Sequence, residues 1–137
     1  MIGIIGAMED ELALLRSLME NIGHERTGAF EYTPGKLEGK DVVLFRSGIG
    51  KVNAAVGCSI LIQRYNPKLI INTGIAGGID SALSFGDIVI SDGLLYHDVD
   101  VTAFNYKSGQ IPGQPVIFPV AEEIIIAAEK AMDELKT

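Results

Sequence analysis

Glu9, Asp10 and Glu11 stand in a row directly after an apolar run, Ile2-Gly3-Ile4-Ile5, that ends in Gly6-Ala7. A carboxylate at such a strand-turn-helix junction lies at the rim of a sheet, where ligands of open α/β sheets gather beyond the carboxyl ends of the strands. Set on a helix, residues 8–20 place Met8, Leu12, Leu14, Leu15, Leu18 and Met19 in one arc, with Glu9, Asp10, Arg16, Ser17 and Glu20 outside it. Glu11 alone among these acids falls inside the apolar arc. A carboxylate there is costly unless paired, protonated or facing a polar cavity, and partial desolvation raises its pKa toward the range of a general base. The plainer alternative is a helix-start glutamate favoured by the macrodipole and rolled to solvent. Glu9 and Asp10 read as surface residues.

Other stretches offer weaker chemistry. Gly74-Ile75-Ala76-Gly77-Gly78 follows an apolar strand, and its small residues let a ligand approach backbone N–H groups; a tight strand-to-loop turn explains it equally well. Ser47-Gly48-Ile49-Gly50 raises the same choice. Neither is a dinucleotide fingerprint or a phosphate loop. His97-Asp98-Val99-Asp100 brings only two carboxylates to one strand face, which favours a structural role over a metal site. Cys58 reads as a small core residue, and His24 as a loop residue. Val101, Phe104, Tyr106, Ile111 and Pro112 place apolar groups in a long loop, which makes a homodimer plausible.

These residues need elements to hold them. Residues 2–6 predict a buried strand, and 8–20 a helix. Glu31–Thr33 and Val42–Arg46 predict a hairpin or meander, with turn chemistry at Pro34-Gly35 and Glu38-Gly39-Lys40. A helix from about Lys51 to Arg64, apolar on more than one side and so largely buried, ends at Asn66-Pro67. Residues 68–73 predict another buried strand, Ile88–Ser91 a further one, and Leu94–Val101 one more. Residues 102–119 hold five Gly and Pro and predict a surface loop. A last helix from Ala121 to Leu135 carries Ile124, Ala128, Ala131, Met132 and Leu135 on one face. Alternating strands and helices make the class α/β with a mixed, mostly parallel sheet.

The totals agree. A chain of 137 residues, 47% hydrophobic and 21% charged, suffices for one domain with a real core. A net charge of −7, with the 11 Lys and Arg scattered, excludes nucleic acid and anionic membrane as partners. The single cysteine leaves no internal disulfide or zinc cluster and suits a reducing cytoplasm. The N-terminus reads as lacking a signal peptide, and no stretch approaches the roughly 18 apolar residues of a membrane span.

Several blocks in order carry a resemblance: GIIGAMEDE at 3–11, SGIGKVNAA at 47–55, INTGIAGG at 71–78, GDIVISD at 86–92, YHDVDVTAF at 96–104 and GQIPG at 109–113. Together they resemble the bacterial methylthioadenosine/S-adenosylhomocysteine nucleosidases. The resemblance implies a nucleoside phosphorylase-like three-layer α/β sandwich, one nucleosidase domain over residues 1–137, dimeric and without metal or organic cofactor. The implied reaction is hydrolysis of an N-glycosidic bond, releasing adenine and a thioribose. On this mapping Glu11 activates the attacking water, with Ala7 and Met8 lining the pocket beside it. Ala76 and Gly77 border the ribose and water, and Ile49 sits by the ribose and 5′-thio group. Val101, Phe104 and Pro112 would reach across a homodimer to close the neighbour's 5′-alkylthio pocket.

The resemblance also implies an N-terminal portion, because members of the family continue beyond residue 137. Their second half supplies the aspartate general acid, the glutamate on the ribose hydroxyls and the adenine-stacking residues. The isolated chain is then expected to lack half of an active site. A truncated, non-catalytic nucleoside-binding or dimerisation module is one alternative. A purine nucleoside phosphorylase is another, disfavoured because the first helical turn offers no Arg or Lys for phosphate before Arg16. Ile75 occupies a position where relatives often carry a small hydroxyl residue.

Overall fold

The β-branched run at the N-terminus forms strand β1 (Ile2–Gly6), the second-last strand of a five-stranded sheet. The computed structural model describes residues 1–135, with the side chain of Leu135 outside the description. Further elements are α1 (Glu9–Ser17), β2 (Glu25–Thr27), β3 (Phe30–Leu37), β4 (Lys40–Arg46), α2 (Lys51–Tyr65), β5 (Leu69–Asn72), β6 (Gly93–Leu94), β7 (Phe118–Pro119) and α3 (Glu122–Leu135), with a 3-10 turn at Thr102–Phe104.

The sheet order is β2-β3-β4-β1-β5. β1 pairs in parallel with β4 and with β5, whereas β2-β3-β4 is an antiparallel meander, so the sheet is mixed. Glu38 and Gly39 join β3 to β4 with φ of 48° and 72°, the two positive values that a tight hairpin turn demands. The turn is therefore not at Pro34-Gly35, which lies within β3 opposite Val43 and Val42. Pro34 turns its carbonyl to the Gly23 N–H at 2.8 Å. Its donor-less nitrogen consequently faces away from β4 and removes nothing from that ladder.

Alternation along β1 and β4 feeds two cores on opposite faces. Ile4, Val42 and Leu44 pack with Leu12 and Met19 of the α1 region. Ile5, Val43 and Phe45 pack with Tyr32 and with Leu61 of α2. Helices on both faces of one sheet make the three-layer α/β arrangement. Tyr32 stacks on Phe45 at 5.0 Å and donates its hydroxyl to the Gly57 carbonyl at 2.9 Å, which ties β3 to α2.

Three expectations are corrected. The α1 arc is narrower than its sequence: Leu12, Leu15 and Met19 turn inward while Leu14 and Leu18 stay exposed. The second helix is not largely buried; it packs one stripe, and Val52, Val56 and Ile62 remain exposed among the described residues. The strand β5 is not buried: among the described residues it pairs with β1 alone, and Ile71 is exposed.

The chain divides into two compact units, Met1–Gly77 and Gly78–Thr137. In the second, residues 88–91 are not in a strand, and the stretch after 94 is turn and loop beyond β6, which pairs with β7. Ile124, Ala128 and Met132 are the half-buried side of α3, whereas Ala131 is exposed. No helix among the described residues is long and apolar enough to cross a membrane.

Candidate active site

Parallel strands end together, and that brings the predicted loops to one edge. β4, β1 and β5 run side by side, and their ladders continue past the strand ends: Ser47 N–H donates to Gly6 O at 3.0 Å, and Thr73 N–H to Ile5 O at 2.9 Å. Residues 6–8, 47–50 and 73–77 therefore leave the sheet from a common rim. Ala7, Met8, Ile49, Ala76 and Gly77 all belong to these three loops.

Glu11 connects two of them. Its Oε2 accepts from the N–H groups of Ala7 (2.7 Å) and Met8 (2.9 Å), and its Oε1 accepts from the Ile75 N–H (3.0 Å). Met8 is the N-cap of α1 and Glu11 its third helical position, so the carboxylate reaches back as the acidic partner of a capping box does. The structural and the chemical readings of this glutamate are thus compatible: two donors come from the helix start, the third from across the sheet.

Hydrogen bonds from Met8 and Ile75, each outweighing the upward push of desolvation, and a lesser one from Ala7 hold the Glu11 carboxyl below the usual glutamate range. The raised pKa expected from its place on an apolar arc is corrected. Glu11 lies at the edge of the buried stripe, half-buried, where backbone donors stabilise the anion. Such a carboxylate is a fixed, ionised acceptor whose Oε1, bonded once, keeps a lone pair to orient a water.

The other predicted residues have different settings. Ala7 is half-buried and Met8 exposed. Ile49 is exposed, and its carbonyl accepts from Asn53 Nδ2 at 2.9 Å. Ala76 and Gly77 are exposed, and a side chain at 77 would meet open space. In the second unit Val101 is half-buried and caps the 3-10 turn, taking the Phe104 N–H at 2.9 Å. Phe104 and Pro112 are exposed. Asp100 accepts from the Thr102 N–H and hydroxyl at 3.0 and 2.7 Å, so it organises this turn. Cys58 packs beside the α2 core, where burial pushes its thiol up.

Sequence reasoning missed the Ile75 N–H as a donor to Glu11; the signal available was the parallel alignment of two strands ending in Gly6-Ala7 and Thr73-Gly74. It also missed a surface cleft of about 330 Å³ that Glu9, Arg16, His24, Glu31 and Arg46 help to line. Two of its arginines are matched by acids: Glu9 pairs with Arg16 and, at 3.4 Å, with Arg46, which lies 3.9 Å from Glu31.

Comparison with known proteins agrees with this arrangement. A family model described as the phosphorylase superfamily matches residues 1–136. The 5′-methylthioadenosine/S-adenosylhomocysteine nucleosidase of Bacillus cytotoxicus is 50% identical over 133 residues, 97% of this chain and 58% of that protein. The corresponding nucleosidase of Neisseria meningitidis, solved with methylthio-immucillin-A, superposes with a TM-score of 0.95 at 46% identity, over 98% of this chain and 58% of its own. That of Colwellia psychrerythraea, solved with adenine, gives 0.95 at 44% identity, over 98% and 55%. The chain thus spans little more than half the length of these relatives. With a shared three-layer sheet, a common loop rim and a family model matched over nearly its whole length, the chain belongs to the phosphorylase superfamily.

Proposed function

We propose that the protein hydrolyses the N-glycosidic bond of methylthioadenosine- and S-adenosylhomocysteine-type nucleosides, with Glu11 holding and activating the water. The observation that carries this reading is the Glu11 carboxylate fixed by three backbone N–H groups at the rim of β1 and β5. Glycoside hydrolysis passes through an oxocarbenium-like transition state, whose carbon is so electrophilic that the water needs orientation more than prior deprotonation. A carboxylate kept ionised by backbone donors accepts that water's proton late, as its bond to the sugar forms. Ala7, Met8, Ala76 and Gly77 would border the water and ribose, and Ile49 the 5′-thio group. Hydrolysis is favoured over phosphorolysis because Arg16 and Arg46 are engaged by Glu9 and Glu31 instead of standing ready for phosphate.

Incubating a chain of the relatives' full length that carries these residues with methylthioadenosine, and assaying free adenine, tests this, since the present chain spans only 58% of such a relative. Glu11→Gln keeps the size but loses the charge, and should lower the rate by about 10²- to 10⁴-fold. In the wild type, the acid limb of kcat/KM should lie below the usual glutamate range, because the folded site lowers the Glu11 pKa. An undiminished rate in Glu11→Gln removes Glu11 from the mechanism. Nucleoside binding by calorimetry without any adenine release would make the chain a binding module.

The same reading makes the protein a cytoplasmic homodimer, without metal or organic cofactor, in which Val101, Phe104 and Pro112 reach the neighbour's 5′-alkylthio pocket and methionine salvage is served. Phe104 supports it by presenting an apolar ring that is 74% exposed. Light scattering should give a dimer, and Phe104→Ala should raise KM for methylthioadenosine more than it lowers kcat. A monomer, or a KM unmoved by Phe104→Ala, would exclude the shared pocket.

A further inference from the structure

The geometry points to Gly74 as a positioning residue for Glu11, glycine being required there because a β-carbon would take the place of the carboxylate. Glycine is often needed for a left-handed backbone, as at Gly48 and Gly50, where φ is 76° and 102°. Gly74 has no such φ, so a left-handed backbone is not what calls for glycine there. It is also exposed, so burial in a crowded core does not explain it. The three heavy atoms nearest to a β-carbon built at 74 all belong to Glu11: Oε1 closest, then Cδ at 2.7 Å and Oε2 at 3.2 Å. What the missing side chain leaves free is the volume that the carboxylate fills.

That volume lies one residue before the Ile75 N–H, the donor that holds Glu11 Oε1 at 3.0 Å. With alanine at 74 something must give, and the carboxylate is the free end of a side chain. It would swing away from β5, losing the Ile75 bond and keeping those from Ala7 and Met8. Gly74 thus fixes where the carboxylate points as well as what it is bonded to. A site of this kind tolerates little displacement, since about 1 Å of misplacement can cost 100-fold in rate.

The positioning rests on geometry alone, whereas its kinetic consequence rests on Glu11 being the water-activating group. Gly74→Ala in the full chain, with the Glu11 carboxyl followed by ¹³C NMR titration, should move the Glu11 midpoint upward and change the Ile75 amide shift. Adenine release should fall about 100-fold, in kcat more than in KM. Gly77→Ala, which adds a side chain into open space, should leave the Glu11 titration unchanged. An unaltered Glu11 titration in Gly74→Ala overturns the assignment, as does an equal shift in Gly77→Ala. A shifted titration with undiminished adenine release upholds the positioning and removes Glu11 from the mechanism. If Gly74→Ala does not fold, the double variant Glu11→Ala/Gly74→Ala decides. It should melt with Glu11→Ala alone, and its failure to fold would overturn the assignment.

Discussion

The unit Met1–Gly77 and the unit Gly78–Thr137 are both rich in Ile, Val, Leu and Phe, yet they treat them differently. Every buried hydrophobic side chain among the described residues, from Ile4 to Leu61, belongs to the first. In the second, Ile79 and Phe85 are fully exposed, and Ile88, Val89 and Ile90 remain exposed as well. The difference is one of partners. Ile2–Gly6 and residues 88–91 have similar apolar character, but β1 has a ladder on each side and residues 88–91 have none. An apolar, β-branched run becomes a strand only where neighbours satisfy its backbone and cover its faces.

Paired substitutions test that contrast most strongly. Leu61→Ala, at a fully buried position, should cost about 2–5 kcal/mol in denaturant unfolding. Phe85→Ala, removing a larger but fully exposed side chain, should change stability by no more than about 0.5 kcal/mol. A Phe85→Ala cost matching that of Leu61→Ala would erase the contrast between the units. A smaller effect sharpens it within the first unit. Tyr65 donates its hydroxyl to Glu25 at 2.8 Å, and burial together with that acid pushes its pKa up to about 12. Because the folded chain holds this proton more tightly than the unfolded one, the contribution is complete below about pH 10 and is lost as pH rises toward 12. Tyr65→Phe should therefore cost about 1 kcal/mol at neutral pH. The gap should narrow in alkaline unfolding curves, and a gap constant to pH 12 would deny Tyr65 this role.

What the sequence discloses follows the range of the forces involved. Local periodicity singled out Glu11, because three and four residues along a helix are close in space. Ala7, Met8, Ile49, Ala76 and Gly77 were legible as loop residues after strands, and parallel pairing put their loops on one rim. The direction of the Glu11 pKa was not legible. It depends on the Ile75 N–H, which arrives only through the register of β5 on β1. Phe45 lying on Gly57, so closely that no β-carbon fits there, was hidden for the same reason: the contact joins a strand to a helix whose packing angle no local pattern records. Val101, Phe104 and Pro112 were legible as apolar loop residues, and the structure adds that Val101 and Phe104 share one Asp100-organised turn.

The place of β1 in the sheet has a consequence for how the molecule is made. Ile2 pairs with Val42 on one side and with Leu69 on the other, so β1 finds its neighbours only after long further stretches of synthesis. The β3–β4 hairpin, closed by Glu38 and Gly39, can form early from local contacts. β1 must then wait for β4 and, later still, for β5. Glu11 is translated well before its third donor, which exists only once Ile75 has emerged and β5 has docked. Glu11 thus reaches its working position long after it is made, and a nascent chain stalled before residue 75 would hold it by the helix start alone.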